Sequence, residues 1–288
     1  MTIHWSKRGL VVAIPGVVAV AAVALFGFRG WFSKWPPSPE VLLGHKAFSW
    51  RTHETVDFWI HYEVSSFAEK ELGLLSMLHA VAMPGMLELI GEPAYPHKIH
   101  IFAVENHARM KLLIGHEGNG QAFPEHNTIL CVFSEKTKAG GAHELMHVIS
   151  NNRWGSVPFQ DRIWLDEGLA CYAEDKCYRD HKAWAQDMHA LSKGLRDSGR
   201  LIPLEQLTAG FTNWASVSTE ISYPEAGSFV RFLYERYGRE KLKTLWQAPQ
   251  PDMRRVYGKS LAELEAEWGA DLARADRGAD ESSKGTRR

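Results

Sequence analysis

The stretch His143-Glu144-Leu145-Met146-His147 has the spacing H-E-x-x-H. On an α-helix, residues four apart lie on one face, so the two imidazoles can reach a single metal ion. Zn²⁺ binds imidazole nitrogen at about 2.0–2.1 Å and lowers the pKa of a bound water towards ~7. Glu144 then stands beside that water and can accept its proton. The spacing predicts a helical zinc site with ligands His143 and His147 and with Glu144 as general base.

The alternative interpretation is an amphipathic helix whose charged residues are merely solvated. Leu145, Met146, Val148 and Ile149 make the rest of this helix apolar and favour its burial. Buried ionisable groups need partners, which a metal ion would provide. The composition around the motif therefore favours the metal site.

A second helical stretch, residues 164–170 with the sequence W-L-D-E-G-L-A, offers a third ligand. Catalytic zinc usually has three protein ligands and one exchangeable position. Glu167 follows His147 after about 19 residues, which is enough for a helix end, a loop at residues 151–158 and a new helix. We therefore expect one Zn²⁺ ion, held by His143, His147 and Glu167.

These two motifs together resemble the gluzincin metallopeptidases, and the residues around Glu167 resemble the peptidase MA-like group. The resemblance covers residues 56–272, but only the two motifs are specific. It implies an α+β, zincin-like fold: a small mixed sheet with helices, followed by a mainly helical half. It also implies a zinc-dependent enzyme that hydrolyses a peptide or protein substrate.

Tyr223 is a further candidate catalytic residue. It stands near the start of a helix with Phe229, Val230 and Leu233 on one face. In peptidase MA-like proteins, a Tyr near the start of such a helix can reach the active site. Its hydroxyl could donate a hydrogen bond to a developing oxyanion. The alternative is an aromatic side chain that only packs.

Two stretches are candidates for the strand that lines the cleft. In gluzincins an edge strand pairs with the extended substrate, and an open edge can bind a peptide through its main chain. The resemblance suggests residues 128–133 or residues 118–123 for this role. An interior strand is an equally good interpretation of the first stretch. Related aminopeptidases recognise the amino terminus of the substrate with a G-x-M-E-N motif. This sequence does not contain the motif, which weakens an aminopeptidase interpretation.

Cys171, one turn after Glu167, departs from the acidic residue that some gluzincins carry there. That acidic residue orients a ligand histidine through its second ring nitrogen. Glu174 or Asp175 could take over this task, and the spacing leaves the choice open.

The N-terminal region contains an uncharged stretch, residues 10–28, long enough to span the ~30 Å bilayer core as a helix. We expect an uncleaved single-pass anchor, although Ala22-Val23-Ala24 could be a signal-peptide cleavage site. The expected organisation is a cytoplasmic tail and anchor (1–29), a linker (30–45), a catalytic domain outside the cytoplasm (46–272) and a disordered tail (273–288).

Composition excludes some other classes of protein. The 33 basic and 34 acidic residues give a net charge of −1, so no basic excess indicates nucleic-acid binding. Three cysteines do not form a disulfide framework.

The leading hypothesis is a membrane-anchored zinc metallopeptidase. Two others remain: a catalytically silent zinc-binding or scaffold protein of the same fold, and a zinc hydrolase of a non-peptide amide.

Overall fold

The protein is described by a computed structural model for residues 36–137, 141–156, 162–178, 187–211 and 218–284. The chain divides into two units, Met1–Ser38 and Pro39–Arg288. Residues 10–28, the predicted membrane anchor, lie outside the described residues. All the helices and strands described below belong to the second unit.

A five-stranded mixed sheet forms the first half of the domain, with strand order β1-β2-β3-β5-β4. The two central pairs, β2–β3 and β3–β5, are parallel, and both edge strands are antiparallel to their neighbours. The strands are β1 (Trp50–Glu54), β2 (Phe58–Glu63), β3 (Ile99–Val104), β4 (Gly120–Phe123) and β5 (Thr128–Val132).

Helices surround this sheet and make up the second half of the domain. Those that precede or interrupt the sheet are α1 (Pro39–Leu43), α2 (Phe67–Lys70), α3 (Leu72–Ile90) and α4 (His107–Ile114). Those that follow it are α5 (Ala142–Trp154), α6 (Ile163–Tyr178), α7 (Met188–Asp197), α8 (Leu204–Gly210), α9 (Thr219–Tyr237), α10 (Arg239–Gln247), α11 (Met253–Tyr257) and α12 (Leu261–Lys284). This arrangement confirms the predicted α+β fold with a mainly helical second half.

Neighbouring residues of a strand point to opposite faces of the sheet. In this sheet apolar residues face both sides. Ile101 faces the main core, where it joins Leu75 of α3 and Leu145 of α5. Phe102, the next residue, faces a smaller cluster with Met110 of α4. The sheet is therefore a middle layer, with the metal-binding motif on the main-core side.

The two strands considered for the cleft differ in position. All five residues of β5 are buried, and the strand lies between β3 and β4. β5 is thus an interior strand. β4 is the edge strand, and it lies against α5 as well as β5. Of the two candidates, the stretch that contains β4 is the one with an open edge.

Helices α6 and α9 pack at unusually close range because glycines lie at their contact. A Cβ atom added to Gly168 would lie 2.6 Å from the carbonyl oxygen of Ala226. One added to Gly227 would lie 2.8 Å from Cβ of Cys171. Real Cβ atoms essentially never come this close to other atoms. The pair of glycines therefore allows the two helices to touch, which brings the start of α9 next to the start of α6.

Two of the expected boundaries differ in the structure. The predicted linker at residues 30–45 contains α1, which begins at Pro39, a residue favoured at the first helical position. Leu42 of α1 is buried in the smaller core, and this burial holds the helix on the domain. Of the predicted disordered tail at residues 273–288, the part up to Lys284 belongs to α12.

One described helix, α3, is long and apolar enough to cross a membrane by length and composition alone. Core helices of globular domains also meet this criterion. Buried residues of α3, such as Leu78, Ala82 and Leu89, belong to the main core. We therefore assign α3 to the core of the domain.

Candidate metal centre and active site

Helix α5 carries the H-E-x-x-H motif in its first turns. It begins at Ala142, after Gly141, whose φ of +69° is easily adopted by glycine. Leu145, Met146 and Val148 anchor the helix in the main core. His143 and Glu144 remain half-buried, and His147 is buried one turn later. The buried side of the helix thus fixes the direction in which the motif points.

The three predicted ligands come together. Nε2 of His143 lies 2.9 Å from Oε2 of Glu167 and 3.1 Å from Nε2 of His147. Nε2 of His147 lies 3.5 Å from the same carboxylate oxygen. The three ligand atoms are all within 4.8 Å of one another, so this group could hold a metal ion. Two imidazoles and one carboxylate also match the ligand set of catalytic zinc sites with an open position.

Asp166 orients His147, a role that the sequence interpretation missed. Nδ1 of His147 lies 2.9 Å from Oδ1 of Asp166, and Asn151 donates a hydrogen bond of 3.3 Å to the same oxygen. The sequence predicts Glu174 or Asp175 as the residue that orients a ligand histidine. Asp175 instead lies 4.0 Å from the guanidinium of Arg231. The adjacency of Asp166 to Glu167 was the available signal, since neighbouring residues on a helix can reach two different atoms of one imidazole.

The second ring nitrogen of His143 faces a thiol. Sγ of Cys171 lies 3.8 Å from Nδ1 of His143, a long and weak contact. Burial raises the pKa of Cys171 and favours its neutral form. The two predicted ligand histidines therefore differ in the group next to Nδ1, which is a carboxylate for His147 and a thiol for His143.

The electrostatics of the group favour a cation. Burial alone would lower the pKa of His143, but the nearby Cys171 and Glu167 outweigh burial and raise it well above its ordinary value. Burial is likewise outweighed at His147, whose pKa is raised by Asp166 and Glu167. The same histidines lower the pKa of Glu167 despite its burial. The site thus attracts positive charge, and a metal ion would have to displace protons from it.

Glu144 lies beside this group without being part of it. Its side chain lies against Gly120 of β4, and His143, His147 and Glu167 are close enough to affect its pKa. Burial raises its pKa, and His143 and His147 partly oppose that shift. A carboxylate with a raised pKa at this position is suited to exchange a proton with a neighbouring group.

Tyr223 also lies in the site. It belongs to α9, and its ring centroid is 6.1 Å from that of His143 and 5.6 Å from that of Phe211. Burial and the nearby carboxylates of Glu167 and Glu144 raise its pKa, so the phenol stays a neutral donor. The close contact between α6 and α9 accounts for this position.

Comparison with protein families identifies the fold. The family model described as "Peptidase MA superfamily" matches residues 87–274, which include the edge strand, both ligand-bearing helices and α9. The match covers more than half of the chain. The chain therefore belongs to the peptidase MA superfamily, and membership indicates a peptidase-like protein.

One similar solved structure is an aminopeptidase N family protein from Idiomarina loihiensis. The two share 13% sequence identity with a TM-score of 0.40. The similarity covers 76% of this chain and 49% of that chain, so this chain spans about half the length of that protein. No curated protein matches this chain.

Proposed function

We propose that this protein is a zinc-dependent metallopeptidase. The observation that carries the proposal is the convergence of His143, His147 and Glu167 beside Glu144, on a chain of the peptidase MA superfamily. Two histidines and a glutamate would hold one Zn²⁺ and leave a position free for exchange. Bound there, the ion would polarise the scissile carbonyl and make water a better nucleophile.

Glu144 would act as the general base. It would accept a proton from the attacking water and then deliver the proton to the leaving amine. Its half-buried position and raised pKa support this role, because a base with a pKa closer to neutrality can both take up and release a proton. The role needs Glu144 to remain outside the metal ligands, as its position beside Gly120 allows.

Tyr223 would act as hydrogen-bond donor to the oxygen that becomes negatively charged. Tyr223 lies beside His143, with 6.1 Å between the two ring centroids, which supports its hydroxyl as a donor next to the predicted ligands. A neutral phenol donates without first losing a proton, and a fixed donor of this kind stabilises the transition state more than the ground state.

The substrate would be a peptide or protein segment in extended form. β4 pairs with β5 on one side, and no other described strand pairs with its second side. A substrate strand could add there through main-chain hydrogen bonds, next to Glu144. Balanced charge gives no support to a nucleic-acid partner.

We also propose that residues 10–28 anchor the protein in a membrane, with the catalytic domain outside the cytoplasm.

Peptide-library profiling of the purified zinc-loaded protein tests this function. We expect cleavage that disappears in the presence of a chelator. Glu144→Gln is the matched control, since it is nearly isosteric and is not a predicted ligand. It should retain zinc but lose ~10²–10⁴-fold in turnover.

Three outcomes would contradict the proposal. Zinc binding without cleavage of any peptide would favour a silent binding protein. Hydrolysis confined to non-peptide amides would favour the third hypothesis. Equal zinc content in wild type and His143→Ala would reject the ligand set itself.

A further inference from the structure

Gly120, the first residue of β4, lies directly against Glu144. A Cβ atom added to Gly120 would lie 2.4 Å from Oε1, 2.6 Å from Cγ and 2.7 Å from Cδ of Glu144. These separations are shorter than real Cβ atoms show. The Glu144 side chain therefore lies along β4 at Gly120, the glycine of that strand.

β4 is held in place by its pairing with β5. Gly120 is paired with Cys131 of β5, and the amide of Val132 donates a hydrogen bond of 2.8 Å to the carbonyl of Asn119. The side chain of Asn119 is in turn 2.8 Å from Nε2 of His107. The backbone of β4 is thus fixed at the residue that contacts Glu144.

The helix is fixed as well, so the Glu144 side chain is the part that can move. Leu145 and Met146, the residues that follow Glu144, are fully buried in the main core. Within the described residues, the carboxylate of Glu144 forms no hydrogen bond or ion pair. Its direction is therefore limited by packing, and Gly120 is the packing partner on the side of the edge strand.

We propose that Gly120 is a positioning residue for Glu144. The missing side chain leaves the space that Oε1, Cγ and Cδ of Glu144 occupy. Any larger residue at position 120 would turn Glu144 away from this direction without disturbing His143, His147 or Glu167. The kinetic part of this inference rests on the proposed peptidase function, whereas the structural part does not.

Gly120→Ala tests the inference through turnover and structure together. We expect kcat to fall by ~10²-fold, because a displacement of about 1 Å in a catalytic group can cost that much. KM and zinc content should stay close to wild type. Crystal structures of wild type and variant should show the Glu144 carboxylate in different rotamers.

Gly194→Ala is the matched control. Gly194 lies in α7, and an added Cβ would meet no atom within 4 Å. This variant should retain wild-type kcat, which would separate the contact from the general effect of replacing glycine by alanine.

Several results would overturn the inference. Glu144 in its wild-type rotamer in Gly120→Ala would do so, as would a rise in KM with unchanged kcat. If Gly120→Ala does not fold, Glu144→Ala should restore folding in the double variant, because it removes Oε1, Cγ and Cδ, the three atoms that the added Cβ would meet. A double variant that also fails to fold would reject the contact as the cause. If the wild type cleaves no peptide, the proposed function fails, and the rotamer comparison still decides the role of Gly120.

Discussion

Nδ1 of His147 lies 2.9 Å from Oδ1 of Asp166, the residue immediately before the third predicted ligand. One short segment of α6 thus supplies both a ligand and the support for another ligand. A carboxylate on the second ring nitrogen fixes the orientation of the imidazole and increases its basicity.

Asp166→Ala should weaken zinc binding by ~10–100-fold, the usual effect of removing such a partner. Asp166→Asn should have a smaller effect, because the amide oxygen still accepts a hydrogen bond. Competition with a chelator measures the affinity. Asp197→Ala, which removes an exposed carboxylate paired with Lys193 on α7, is the control. Equal affinities in Asp166→Ala and the control would contradict the assignment.

Tyr223→Phe removes only the hydroxyl group. If that group stabilises the oxyanion, kcat should fall by ~10²–10³-fold, with little change in zinc content or thermal stability. Tyr234→Phe offers a comparison on the same helix, since its hydroxyl donates to the carbonyl of Leu89 away from the site. Near-normal turnover in Tyr223→Phe would leave Tyr223 as a packing residue, and the donor would have to be sought elsewhere.

Residues 10–28 are predicted to hold the protein in a membrane because they form an uncharged stretch of sufficient length. The full-length protein should stay in the pellet after carbonate extraction of membranes. A variant without residues 1–35 should be released. Release of the full-length chain with a new N-terminus after Ala24 would instead indicate a cleaved signal peptide.

Glu225 makes stability depend on pH. Burial raises its pKa to about 8, and the amide of Ile202 donates a hydrogen bond of 3.0 Å to its carboxyl group. The folded state therefore binds a proton more tightly than the unfolded state, so stability falls as pH rises from about 4.5 to about 8. Glu225→Gln should remove this loss.

Urea unfolding at two pH values measures this effect. The variant should match wild type near pH 5 and exceed its unfolding free energy by ~2–4 kcal/mol at pH 9. Glu205→Gln, an exposed residue of α8, serves as control. A constant difference between Glu225→Gln and wild type across this range would show that Glu225 is not the group responsible.

The local part of the site could be predicted from the sequence. His143 and His147 are four residues apart on one helix, so their spacing alone predicts a shared face, and Glu144 follows His143 directly. Glu167 could be predicted because its neighbours form a second recognisable motif. Asp166 was missed because a charged residue at a helix start usually indicates solvation.

Relationships between distant segments could not be predicted in this way. Gly120 meets Glu144 only because the edge strand and α5 pack together, and no local pattern encodes that contact. β1 was not predicted either, because four of its five residues are exposed and its sequence lacks the alternation of apolar and polar residues that indicates a strand. The position of α1 could not be predicted for a similar reason: Leu42 is apolar within a proline-rich segment, and only its tertiary burial makes α1 part of the domain.

The glycine contact between α6 and α9 has a consequence for redesign of this protein. Because Gly168 adjoins Glu167 and touches Ala226, the spacing between Glu167 and Tyr223 depends on how these two helices cross. An alanine at position 168 would therefore push the two helices apart and change the separation of Glu167 and Tyr223.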